Sequence, residues 1–322
     1  MTNNDEDIDE NDERTLRPLS WRDYIGQAPL VTQLRTKCQA AFKLERPLDH
    51  LLINGTQGSG KTTLAHLAAD ETGDSLVKIS RPVNESELMQ AIWDLPGPGV
   101  GILFIDEAHM QSARTQRSLL TLTEEGYIQT KFGTDSFPWL TVILATTEKR
   151  MISLPLQSRL TILDMDEYTL DEMGLIVEGM AERAGVALDS DTTSALAVAA
   201  VGVPRAARHL VLAAQELSAV GQEPTLDAIL THCRLDADGL SRDHLGYMRC
   251  LQLIGGQAGL EVLTVRLQLH RTEVQRIERL LVDRGYVRYD SRGRVLTGSG
   301  RARLEGKTLA PLRGGRLVSK AS

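Results

Sequence analysis

Aromatic side chains are scarce in this 322-residue chain, at 4%. Its core must therefore be built on Leu, Val, Ile and Ala rather than on stacked rings. Cysteines number three and lie far apart, at Cys38, Cys233 and Cys250. An odd, scattered set makes neither a disulfide framework nor a zinc-type cluster, and it suits a reducing cytoplasm. No apolar run approaches the roughly 20 residues that a membrane span needs. The opening, MTNNDEDIDENDER, is the opposite of a basic-then-apolar secretory signal. What is present is ordinary: 42% hydrophobic and 25% charged residues, enough for a buried core and too apolar for chain-wide disorder.

The net charge of −7 hides an uneven distribution. Residues 5–13 carry seven acids (Asp5, Glu6, Asp7, Asp9, Glu10, Asp12, Glu13) and no base, which accounts for the whole imbalance. Residues 261–322 hold fourteen Lys/Arg against six Asp/Glu. An acidic tail thus sits at one end and an anion-binding module at the other. The tail either lies on the basic module or only solubilises the chain.

Periodicity predicts an α/β domain followed by helices. Residues 28–44 carry helical apolar spacing. Leu51–Asn54, Gly101–Ile105 and Leu140–Ala145 are apolar on both faces, as buried parallel strands are. Residues 169–184, 190–200 and 204–220 read as helices, broken at Gly185, Gly202-Val203-Pro204 and Gly221. A last module has helices around Tyr247–Ile254 and Glu273–Gly285, then strand, glycine turn and strand over Tyr286–Thr297. Helices followed by a hairpin outline a winged helix. The expected organisation is an acidic tail (1–15), a large α/β domain with a parallel sheet (16–160), a helical lid (161–238), a winged helix (239–312) and a loose basic end (313–322).

Gly55-Thr56-Gln57-Gly58-Ser59-Gly60-Lys61-Thr62 fits GxxxxGK[ST] between a strand and a helix, the context that this phosphate-binding motif requires. Its glycines, Gly55, Gly58 and Gly60, let backbone N–H groups converge on phosphate oxygens, and the new helix, beginning with Lys61, Thr62 and Thr63, adds its positive end. Lys61 would reach the terminal phosphates, and Thr62 would hold Mg²⁺. Forty-five residues on, an apolar strand delivers Asp106 and Glu107 at its C-terminal end. Asp106 would support Mg²⁺, and Glu107 would polarise an attacking water. Such a pair argues for hydrolysis rather than passive nucleotide holding.

Asp106-Glu107-Ala108-His109, Ala145-Thr146-Thr147 and Gly202-Val203-Pro204-Arg205 occur in the order found in AAA+ ATPases. Leu16-Arg17-Pro18, Asp23-Tyr24-Ile25-Gly26-Gln27 and Leu48-Asp49-His50-Leu51-Leu52 add a resemblance to the RuvB family of Holliday-junction branch-migration motors. It extends over about residues 16–300. The resemblance implies that Leu16, Arg17, Tyr24 and Ile25 frame adenine and that Tyr168 lies beside the nucleotide. It implies that Thr146 acts as sensor 1 and Arg205 as sensor 2 on the lid. It further implies a homo-oligomer, hexameric by the family's habit, and a RuvA-like partner.

Two departures stand out. The family carries two arginines in the segment matching Pro155-Leu156-Gln157-Ser158-Arg159, and this chain keeps the second. Either Arg159 takes the role of the arginine finger that acts in trans, or hydrolysis between subunits is impaired; a finger is worth about 10³–10⁵ in rate. The partner-docking hairpin expected within 127–145 is also short. Phe132 and Trp139 either form a reduced docking point or pack in the core.

Eleven Arg and Lys residues crowd 266–307. Arg292 and Arg294, two apart on a wing strand, point to one face and suit duplex-DNA phosphates. The helix arginines either join them or pair with Glu273, Glu278 and Asp283. The motifs and the resemblance together imply an oligomeric ATPase that moves DNA. The alternative is a loader or switch ATPase that acts on a protein partner without translocating; a nucleotide-regulated transcription factor fits less well, because Glu107 suits turnover.

Overall fold

The computed structural model describes residues 16–95, 101–130 and 133–306. The acidic tail, Phe132, Lys307 and the basic end lie outside the described residues. The chain divides into two compact units that meet between Pro224 and Thr225.

The first unit is built on a five-stranded parallel sheet. Its strands are β1 (Leu51–Asn54), β2 (Ser75–Ile79), β3 (Gly101–Ile105), β6 (Leu140–Thr146) and β7 (Thr161–Asp164), in the order β2-β3-β6-β1-β7. β3 and β6 are buried along their whole length, which is why they read as unbroken apolar runs. Side chains alternate between two cores. Leu52, Leu103, Ile105, Val142 and Leu144 face α3 (Glu85–Trp93) and α4 (Ala113–Glu125). Leu51, Ile53, Ile102, Phe104 and Ile143 face α1 (Ala28–Lys43) and α2 (Lys61–Thr72). The edge strands β2 and β7 were not expected. An edge strand buries less, and Ser75-Leu76-Val77-Lys78-Ile79 and Thr161-Ile162-Leu163-Asp164 carry too few apolar residues to stand out. A two-stranded antiparallel ribbon, β4 (Tyr127–Thr130) and β5 (Gly133–Ser136), runs in register from Tyr127↔Ser136.

Three helices complete this unit: α6 (Leu170–Ala184), α7 (Ser190–Ala199) and α8 (Pro204–Ala219), after the short α5 (Leu154–Gln157). Each starts where its sequence demands. A Thr169–Glu172 capping box opens α6, Asp189 caps α7, and Pro204 opens α8, where a missing N–H costs nothing.

The second unit holds α9 (Leu226–His232), α10 (Arg242–Leu253), β8 (Gln257–Ala258), α11 (Leu260–Leu267), α12 (Arg271–Asp283), β9 (Val287–Asp290), β10 (Gly293–Leu296) and α13 (Gly298–Leu304). The strands pair antiparallel in the order β8-β10-β9. This is the expected winged helix, with a two-residue third strand too short to read from its sequence. Tyr247, Met248, Leu263, Val274 and Leu281 fill its core.

Gly293 sets the wing's pairing. Its φ is +123°, and a Cβ there would lie 2.3 Å from the Ala258 carbonyl oxygen. Gly293→Ala is expected to destabilise this unit by about 2 kcal/mol. Urea unfolding followed by a probe in the winged helix would show the lower midpoint; an unchanged midpoint would contradict this account.

Candidate functional site

The ends of three parallel strands assemble the first site. β1 runs between β6 and β7, with Asn54 opposite both Thr146 and Asp164. The chain then turns through Gly55–Gly60 into α2. Gly55 N–H donates to the Thr146 carbonyl at 3.1 Å, so the loop hangs from its neighbouring strand. Lys61, the first residue of α2, is buried, and its Nζ donates to the carbonyls of Gly55 (3.0 Å) and Thr56 (2.9 Å). Burial lowers the Lys61 pKa, Glu107 and Asp106 oppose that shift, and Arg205 adds to it. Asp106 and Glu107 leave β3 at the same edge. Thr62 Oγ1 donates to Asp106 Oδ2 at 3.4 Å, and Asp106 Oδ1 accepts the Glu107 N–H at 3.0 Å. Glu107 has φ +45°, an uncommon backbone state for a residue with a side chain and one that clusters at functional sites.

Thr146 and Glu107 are coupled through His109. Its Nδ1 lies 3.1 Å from Thr146 Oγ1 and 3.4 Å from Glu107 Oε2. Thr147 Oγ1 donates to Glu107 Oε2 at 3.3 Å, and Thr146 Oγ1 accepts the Glu148 N–H at 3.0 Å. Sequence reasoning did not assign roles to His109 and Thr147, although both sit inside the segments that carried the resemblance.

The lid closes over this edge. A Cβ on Gly58, whose φ is +77°, would lie 2.9 Å from Arg205 Cβ and from Val203 Cγ1. Arg205 N–H points to the Gly58 carbonyl at 3.3 Å. Leu16, Arg17, Gly58, Gly60, Lys61, Thr62, Thr63, Asp106, Glu107 and Arg205 line one cleft, joined by Met180 and Arg208. Tyr24, Ile25, Gly55, Thr146 and Tyr168 are not among its lining residues. Tyr24 and Tyr168 instead brace the loop from behind. Their hydroxyls lie 3.2 Å apart, and Tyr168 OH donates to the Ser59 carbonyl at 2.9 Å. Burial raises both tyrosine pKa values, so each stays protonated and able to donate. Gln27 ties the same segment to the link between β7 and α6: its amide donates to the Asp166 carbonyl at 2.7 Å and accepts the Asp166 N–H at 2.8 Å.

The wing corrects one expectation. Glu278 on α12 is fully buried. It accepts hydrogen bonds from Tyr247 OH (2.7 Å), Tyr289 OH (3.1 Å), and Arg294 Nε (2.8 Å) and Nη2 (3.1 Å). Arg294 also lies 5.2 Å from the Tyr289 ring centroid. Its guanidinium thus holds the wing to α12 and is not presented to DNA alongside Arg292. The reason is the uncompensated cost of a buried carboxylate, which recruits the nearest fork. Glu273 caps α12 by accepting the His270 N–H, and Arg271 pairs with Glu261 at 3.6 Å. Arg276, Arg279, Arg288 and Arg292 are exposed and make no ion pair among the described residues.

Comparison with known proteins agrees with this geometry. The family described as the Holliday junction DNA helicase RuvB P-loop domain matches residues 16–165. The RuvB C-terminal winged helix domain matches residues 237–305. The Holliday junction branch migration complex subunit RuvB of Streptococcus pneumoniae is 32% identical over 304 residues, 88% of this chain and 91% of that one. The chain belongs to the RuvB family. The solved Thermotoga maritima RuvB Holliday junction branch migration motor is similar, with a TM-score of 0.78 and 27% identity over 90% of this chain and 98% of that chain. A point variant of that motor gives 0.79 and 28% over the same shares.

Two RuvB features lie elsewhere on the first unit. Gln157 is used internally: its amide donates to the carbonyls of Lys149 (3.0 Å) and Ile152 (2.7 Å). Arg159, half exposed, pairs with Glu124. It precedes β7 by two residues, at the N-terminal edge of the sheet, beside Asp49 and His50. Trp139 packs edge-on against buried Phe137 at 6.0 Å, which favours the core reading for that residue.

Arg292→Ala is expected to weaken DNA binding and reduce the salt slope by about one, while leaving unfolding unchanged. Arg294→Ala is expected to cost about 3–5 kcal/mol of stability, because it strands Glu278. Equal stability loss in the two variants would overturn this assignment.

Proposed function

We propose that this chain is an ATP-driven, oligomeric DNA motor of the RuvB type, which moves duplex DNA at Holliday junctions in recombination and repair. The observation that carries this reading is the single edge on which Lys61, Thr62, Asp106, Glu107 and Arg205 meet, on a chain that also bears a basic winged helix. Lys61 and the Gly58–Gly60 amides bind the phosphates, and Arg205 joins them from the lid. Thr62 Oγ1 and Asp106 Oδ2 lie side by side, two hard oxygen donors that suit Mg²⁺. Held by these two side chains, Mg²⁺ would supply positive charge to the phosphates of the nucleotide. Glu107, oriented by Thr147 and His109, takes the proton of the attacking water. Thr146 shares His109 with Glu107, so the strand end and the base are positioned together.

Leu16 and Arg17 line the nucleotide cleft, Tyr24 and Tyr168 brace its phosphate loop, and Ile25 follows Tyr24 in the segment that would frame the adenine. Arg159 acts on a neighbouring subunit. At the opposite edge of the sheet, it stands about 13 Å or more of strand away from its own chain's phosphate loop. A hexamer follows the family pattern. Function divides among the large domain (16–160), the lid (161–238) and the winged helix (239–312). The 127–145 segment is the docking point for a RuvA-like partner. Arg292, Arg276, Arg279 and Arg288 contact the DNA backbone. Among the described residues no helix is long and apolar enough to cross a membrane, and the three free cysteines support a cytoplasmic setting.

Steady-state ATPase activity with and without four-way DNA tests the reading. Stimulation by DNA, branch movement in a strand-displacement assay, and a fall of about 10²–10⁴ in Glu107→Gln with ATP binding kept are the expected results. Normal hydrolysis with no movement of any branch would favour the loader or switch instead. Mixing tests Arg159. Glu107→Gln and Arg159→Ala are each expected to be inactive alone. A 1:1 mixture restores intact pairs at roughly a quarter of head-to-tail boundaries. No regained activity would exclude Arg159 from the neighbouring site.

A further inference from the structure

Arg208 sits one turn beyond Arg205 on α8. Residues three apart on a helix share a face, and both line the cleft that holds Lys61, Thr62 and Asp106. Arg208 is only 8% exposed. Its Nη1 is buried and has no hydrogen-bond partner among the described residues. A guanidinium carries five donors in a rigid fork and is costly to bury unmatched. Arg294 and Arg303, by contrast, are matched by carboxylates: Arg294 by Glu278, and Arg303 by Asp236 and Asp238. Among the described residues, the cleft's acidic lining is Asp106 and Glu107, against Arg17, Lys61, Arg205 and Arg208. That balance suits a polyphosphate.

We infer that Arg208 is a second lid ligand for the nucleotide's phosphates, acting beside Arg205. The inference rests on the ATPase reading of the same cleft. With two arginines on successive turns, α8 couples to the phosphates along its side as well as through its first turn. Departure of ADP, which takes the remaining phosphates with it, then breaks both contacts to one rigid helix and strengthens the link between nucleotide occupancy and lid angle. The buried fork also predicts a trade of stability for function, because a residue held unmatched for a ligand weakens the protein that carries it.

Arg208→Met, which keeps length and volume without the fork, tests this in the full chain. Binding of ADP, AMP and adenosine is titrated calorimetrically, and melting is followed without nucleotide. The expected result is an ADP Kd raised about tenfold or more, an adenosine Kd unchanged, and a melting temperature equal to or above that of wild type. Arg208→Lys reads the same titration should Met disturb the fold, and is expected to restore part of the ADP affinity. An ADP Kd within threefold of wild type overturns the inference, as does an equal loss for adenosine, which would move Arg208 to the base or ribose. Failure of wild type itself to bind ADP would instead remove the ATPase reading.

Discussion

The hydrogen bond from Gly55 N–H to the Thr146 carbonyl joins the phosphate loop to β6, the strand that ends in Thr146. The rest of the nucleotide site depends on it. Through that bond the loop's height above the sheet is set by β6, which is buried at every position. The neighbouring strand ends are locked in the same way: Asp106 N–H donates to the Ile79 carbonyl, and Met165 N–H to that of Asn54, each at 2.8 Å. A slip of one residue in any of these pairings would reverse faces and carry Asp106, Thr146 or the phosphate loop away from the common edge. Displacements of about 1 Å can cost 10²-fold in rate, so the parallel register is part of the chemistry.

The central fold and the phosphate site were legible because their causes are local. Buried strands β1, β3 and β6 must be apolar on both faces, and a loop that closes on phosphate must be rich in glycine. Asp106 and Glu107 follow from their place at a strand end. The edge strands β2 and β7 were hidden because half-exposed strands carry mixed residues. His109 and Thr147 were visible as letters, but their hydrogen bonds to Glu107 and Thr146 depend on the 3₁₀ turn at Ala108–Met110 and on the end of β6. Arg208 gave no signal beyond helical spacing, since burial without a partner is a three-dimensional property.

The wing shows where counting charges fails. Arg292 and Arg294 look equivalent two apart on a strand, yet Glu278, sixteen residues before Arg294, separates their fates. One carboxylate gathers two tyrosines and an arginine, so part of the basic character of the module is spent inside it. The exposed arginines of α12 and β9 carry the surface field instead. They deliver charge without a base code, which fits a module that follows the phosphate backbone and tolerates any sequence.

Gly55–Lys61 and Arg159 lie at opposite edges of one sheet in every copy of this chain. If both serve hydrolysis, each copy supplies the front half of one site and the back half of another. An open row of such copies always ends with one unfinished site, whereas a closed ring has none. Ring closure is then worth one additional working site, and its relative value falls as the row lengthens. Turnover per subunit would accordingly rise more steeply than first order in protein concentration until rings close, and then stay flat.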